Sequence, residues 1–159
     1  HSSILNIILL NLMNRKIKEL LMRAGILIYH PKLKSILTVY RYKNGQHYYV
    51  LPGGQIEESE SPIEAAIREI KEEVQLIFKP EYLKPAFTYD SDDNQHIYFW
   101  TSYTGLENLT IGGEEKERSH SQNLYEARWI SLSDFPHLPF RPKDLQIRIL
   151  SFFTRFENR

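Results

Sequence analysis

The chain of 159 residues contains no cysteine. That excludes disulfides, a thiolate nucleophile and cysteine-ligated zinc. It also carries no net charge, with Lys+Arg 20 balancing Asp+Glu 20. No global field therefore advertises nucleic acid or an anionic membrane as a stable partner. Long apolar runs are missing as well. The most apolar stretch, Ile4 to Leu12, is far shorter than the roughly 20 residues a spanning helix needs. No basic region precedes it and no small-residue cleavage site follows, so it does not read as a signal peptide. Residues 1–22 are expected to form a helical extension that packs on the domain or on a neighbour, compatible with a homodimer. The opening His-Ser-Ser reads as a cloning remnant, with Met13 as a candidate native start. Histidines are few, and His96, His120 and His137 have no zinc spacing. These absences fit a cytoplasmic protein of one domain over 23–159.

What is present is a sheet-rich pattern with abundant aromatics, Tyr 10 and Phe 8. Branched apolar runs predict strands at Ala24–His30 and Ser35–Tyr42. Asn44-Gly45 is a hairpin signal, returning the chain through Gln46–Pro52 into Gly53-Gly54. Further strands are expected at Leu83–Asp90, Gln95–Thr104 and Tyr125–Leu132, with a C-terminal helix over Asp144–Phe156. A long polar segment, Gly112–Asn123, is a candidate lid. The elements are mixed rather than strictly alternating, an α/β pattern.

The densest chemistry lies in LPGGQIEESESPIEAAIREIKEEVQLIF, Leu51–Phe78. Ser61-Pro62-Ile63-Glu64 is a capping box with proline at the first helical position, so a helix is predicted from Pro62 to about Gln75. Ile63, Ala66, Ile67, Ile70 and Val74 share one face and should pack on the sheet. At about 100° per residue, Glu69, Glu72 and Glu73 fall on an adjacent arc, with Arg68 one turn before Glu72. Carboxylates this close repel one another, and the helix dipole disfavours anions in the last turn. A divalent cation relieves both costs, because hard cations take oxygen ligands. A solvated acidic helix face is the plainer reading of the same residues.

The joint spacing argues for the cation. Glu60 follows Gly54 after five residues. Arg68-Glu69-Ile70 follows after seven more, then Glu72-Glu73 and Leu76. This pattern resembles the signature of the Nudix hydrolase family, with Gln75 standing where the family usually has glycine. The resemblance implies an α/β/α sandwich with a mixed central sheet and hydrolysis of a phosphoanhydride in a nucleoside diphosphate derivative. It further implies Mg2+, with Mn2+ as a substitute, held by the Gly53 carbonyl, Glu69, Glu72 and Glu73. Arg68 would orient the glutamates with Glu60, and Glu69 would be the general base. A glutamate in 114–126 is the runner-up base, Glu117 or Glu126. Arg41 and Glu126 are candidate substrate contacts, and Tyr98, Trp100 and Trp129 are candidates to stack on a base. By elimination of marks outside the motif, the substrate is expected to be a nucleoside triphosphate. ADP-ribose, a dinucleoside polyphosphate, or a non-catalytic nucleotide-binding role are the alternatives. Glutamine in place of glycine predicts a strained or altered helix end at Gln75.

Overall fold

The computed structural model describes residues 2–20, 22–91, 94–107, 109 and 123–157. Helix α1 (Ser2–Leu20) precedes strands β1 (Met22–His30), β2 (Ser35–Lys43), β3 (Gln46–Val50) and β4 (Gly53–Gln55). Helix α2 (Pro62–Val74) follows, then β5 (Lys84–Asp90), β6 (Gln95–Ser102), β7 (Asn123–Ser131) and helix α3 (Lys143–Glu157).

All seven strands join in one sheet of order β3-β2-β1-β6-β5, with β4 also on β1 and β7 also on β2. It is mixed: β1 and β6 run parallel, and every other pair is antiparallel. Along β1, Ile26 and Ile28 face one side and Leu27 the other, as strand alternation demands. The first side packs Leu37, Val39, Ile70 and Val74 beneath α2. The second packs Ile36, Tyr49 and Tyr98 beneath Leu145, Ile149 and Phe153 of α3. The expected sandwich is therefore observed, one helix layer on each face.

Two elements were not foreseen. The three-residue β4 pairs Gly53 with Gly25 and Gly54 with Ala24. The short segment around Phe140 bridges to Tyr49 on β3, held by Tyr49 N–H donating to the Pro139 carbonyl at 2.9 Å and Arg141 N–H to the Tyr49 carbonyl at 2.9 Å. Helix α1 is formed as expected, and Ile4, Leu5, Ile7, Ile8, Leu9, Leu10, Leu12 and Met13 are exposed, so of the two expected packings these side chains do not make the one on the domain. Among the described residues, no helix is long and apolar enough to cross a membrane.

Candidate active site

The start of α2 is set by Ser61, whose hydroxyl accepts from the Glu64 N–H at 3.2 Å. Its rotation is set by Ala65, Ala66, Ile70 and Val74, all fully buried. Its end differs by one residue from expectation. Gln75 is the cap rather than the last helical residue, at φ 62, ψ 28, with its N–H donating to Lys71 O at 3.1 Å. Glutamine thus adopts the left-handed geometry that glycine would take, and the helix does not end in another way.

The rotation aims the carboxylates at the Gly53-Gly54 turn. Glu73 is buried, and its Oε2 accepts from the Gly53 N–H at 3.0 Å. Gly53 has φ +154, and a Cβ there would collide with the Ala24 carbonyl. Gly54 lies against Glu69 so closely that a Cβ would overlap the carboxylate. Glycine is therefore required at Gly53 by close approach of backbone to backbone, whereas a side chain at Gly54 would push the Glu69 carboxylate aside.

Arg68 gathers the remaining acids. Its Nε donates to Glu60 Oε2 at 2.7 Å and its Nη2 to Glu60 Oε1 at 2.8 Å, a bidentate pair. Nη1 reaches Glu69 at 2.9 Å and Glu72 at 3.4 Å, and Nη2 also donates to the Gln55 carbonyl at 3.0 Å. The Arg68 hydrogen bonds hold the Glu60 carboxyl below its usual range, aided by the Glu57 N–H. The same contacts push the guanidinium pKa further up. Glu60, Arg68, Glu69 and Glu72 are thus one connected cluster, adjoining Glu73 through Gly53 and Gly54.

In donor chemistry the site fits a hard cation: Glu69, Glu72 and Glu73 offer carboxylate oxygens on one arc, beside a turn without side chains. As the side chains stand, no three acidic or histidine groups among the described residues converge at ligating distance. Arg68 holds Glu69 and Glu72, and Glu72 is exposed enough to turn. Binding an ion here means exchanging contacts with Arg68 for contacts with metal.

Glu73, Gly53 and Gly54 open onto a cavity of about 370 Å3. Arg23, Arg41, Tyr48, His96, Tyr98, Tyr125 and Arg141 also line it. Arg41 is thus brought to the site. Glu126 is not: it points to the α3 face and pairs with Arg128 at 2.6 Å, because it neighbours Tyr125 on β7 and strand alternation sends it to the other side. Of the aromatic candidates only Tyr98 lines the cavity. Trp129 stacks on Tyr103 beneath α2, and Trp100 packs with Phe152 of α3. Burial, aided by Arg23, lowers the pKa of His96, whose ring lies 3.1 Å from the Tyr98 hydroxyl. Residues 112–122, including Glu117 and His120, lie outside the described residues. Sequence reasoning missed Arg23 and Arg141; Arg141 sits in an irregular segment with no periodicity to mark it.

Comparison with known proteins agrees with this geometry. Residues 20–150 match the NUDIX domain family model. The chain is 30% identical over 111 residues to the "Uncharacterized Nudix hydrolase YvcI" of Bacillus subtilis, covering 69% of this chain and 66% of that protein. It is 31% identical over 129 residues to an ADP-ribose pyrophosphatase of Methanocaldococcus jannaschii, covering 80% of this chain and 70% of that protein. The chain therefore spans roughly two thirds of the length of each relative. A solved C. elegans Ap4A hydrolase shares the fold, with TM-score 0.65 at 18% identity over 86% of this chain and 99% of that one. With signature, fold and family match in agreement, the chain belongs to the Nudix hydrolase family.

Proposed function

We propose that this protein hydrolyses a phosphoanhydride bond in a nucleoside diphosphate derivative, with a nucleoside triphosphate as its first substrate class. The observation that carries the reading is the continuity of two parts. The acidic arc of α2 meets the Gly53-Gly54 turn, and that turn opens onto a cavity lined by Arg23, Arg41 and Arg141. A carboxylate arc suited to a cation thus adjoins, through Glu73 and the turn, a space whose guanidiniums suit phosphate.

Glu69, Glu72 and Glu73 would hold Mg2+, or Mn2+ in its place, and the bound ion supplies charge neutralisation for the pyrophosphate and acidifies water. The chain's own groups do the rest. Glu60 clamps Arg68, and Arg68 holds Glu69 and Glu72 together on the arc beside the Gly53-Gly54 turn. Glu73 ties the turn to the helix through the Gly53 amide. Glu69, packed against the bare Gly54 backbone, is the base that takes a proton from water. The arginines bind and orient the phosphate chain, which is most of what phosphoryl-transfer catalysis requires of a protein.

A second reading, ADP-ribose as substrate, is favoured by the likeness to the M. jannaschii ADP-ribose pyrophosphatase. A Mg2+-dependent hydrolysis panel over nucleoside triphosphates, ADP-ribose and dinucleoside polyphosphates separates the readings. Glu72→Gln and Glu73→Gln are expected to lower kcat by about 100-fold or more, since charge-stabilising groups are worth that much, with unchanged circular dichroism. Wild-type turnover in both variants would refute the assignment.

A further inference from the structure

The cavity contains a row of side chains that the signature does not include: Tyr125, Arg41, Tyr48 and Arg141. Each comes from a neighbouring piece of backbone. Arg41 on β2 is the direct cross-strand partner of Tyr125 on β7 and of Tyr48 on β3. Arg141 follows on the segment clipped to β3 at Tyr49. The order is ring, guanidinium, ring, guanidinium. The Arg41 guanidinium carbon lies 3.6 Å from the Tyr125 ring centre and 5.8 Å from that of Tyr48. That of Arg141 lies 4.1 Å from the Tyr48 centre.

Stacking fixes a guanidinium by its face and leaves its in-plane N–H donors for an anion. Arg41 Nη2 donates to Asn123 Oδ1 at 3.0 Å, while its Nε is buried with no hydrogen-bond partner among the described residues. A buried donor without an acceptor is costly, and an incoming oxyanion removes that cost. Arg23 adds a third guanidinium to the lining, and Glu73 is the one carboxylate among the lining residues. A nucleobase finds less here, because both tyrosine rings already carry a guanidinium.

We infer that the Tyr125–Arg41–Tyr48–Arg141 row is a subsite for a third phosphate beyond the scissile anhydride, so that the substrate is a chain of three or more phosphates. This rests on the hydrolase reading above and narrows it. A terminal phosphate carries roughly −1.5 to −2 charges near pH 7, whereas the distal ribose of ADP-ribose carries none. A free triphosphate and a bridging polyphosphate share this chemistry.

The test is calorimetric titration with inorganic tripolyphosphate and pyrophosphate, divalent metal omitted so that only the protein's cations bind. Arg41→Met and Arg141→Met keep the stem on the ring and remove the charge. Each is expected to weaken tripolyphosphate about tenfold and pyrophosphate less than about threefold, the loss of one charge-assisted contact. Equal weakening of both ligands, or of neither, overturns the subsite; Arg141 is exposed, so its variant decides even if Arg41→Met fails to fold. In turnover, KM for ATP should rise about tenfold with kcat held within about threefold, the signature of lost uniform binding. ADP-ribose, whose two phosphates meet the same arginines, should lose less, its KM rising less than about threefold, and a rise equal to that for ATP would count against the subsite. A greater loss on ATP than on diadenosine tetraphosphate assigns a terminal phosphate, and the reverse a bridging one. Wild-type protein that hydrolyses none of these with Mg2+ defeats the hydrolase reading, while the titration still decides the subsite.

Discussion

Gln75 holds φ 62 at the end of α2, where a side chain's Cβ crowds the carbonyl at a cost of roughly 1–2 kcal/mol. Gln75→Gly is therefore expected to raise stability by about 1 kcal/mol, or several degrees in Tm, with kcat unchanged. A fall in Tm in thermal melts would mean that the glutamine side chain's own contacts outweigh the strain. Glu60 offers a pH-dependent counterpart. Its carboxyl pKa is lowered, first by the Arg68 hydrogen bonds. A lowered folded-state pKa gives stability that is present above the unfolded value, about 4.3. That stability is lost as pH falls through the folded value. The Tm gap between wild type and Glu60→Gln should thus be full at neutral pH and shrink below about pH 4.3. A gap that stays constant across that range would show that ionisation of Glu60 does not stabilise the fold. Both residues were visible in the sequence because the signature's spacing marks them. Arg141 was not, since its place beside Tyr48 arises from backbone hydrogen bonds to Tyr49, far away in the chain.

Legibility at the scale of elements follows the range of the interactions. Helix α2 was readable from local rules: its cap, its proline and its buried face all lie within 14 residues, Ser61 to Val74. The hairpin of β2 and β3 was readable from Asn44-Gly45, both at positive φ. The parallel pairing of β1 with β6 was not, because nothing in either strand names its partner across more than sixty intervening positions. Strand β4 was too short to show a period, and its pairing is what brings Gly53 and Gly54 against β1 and under the carboxylates. The division of labour within α2 makes a prediction. Ser61→Ala removes the bond to the Glu64 N–H and should cost about 1 kcal/mol, read as a lower Tm. Because buried Ile70 and Val74 set the rotation of the carboxylates, kcat at 25 °C should stay within about twofold, a typical margin for surface changes remote from the site. A larger fall in kcat would show that the cap also positions Glu69 and Glu72.

For the whole molecule, a formal net charge of zero conceals a separation of sign. Acids collect along α2 around Arg68, while arginines collect on the lining of the cavity. A zero sum gives no global field that advertises a polyanionic macromolecule, whereas the small polyanion proposed above needs only a local cluster. The sum of charge is invisible to such a ligand, which experiences only the field within about a Debye length, roughly 10 Å at 0.1 M salt and 3 Å at 1 M. KM should therefore rise severalfold as ionic strength increases from about 0.05 to 0.5 M, because screening weakens attraction to partly exposed guanidiniums. The carboxylate cluster works at closer range and is partly buried, so kcat should change little over the same interval. Steady-state kinetics in a salt series, with free Mg2+ held constant, separates the two. If kcat falls while KM stays level, the charge that matters lies among the carboxylates, and the arginines do not draw in the substrate.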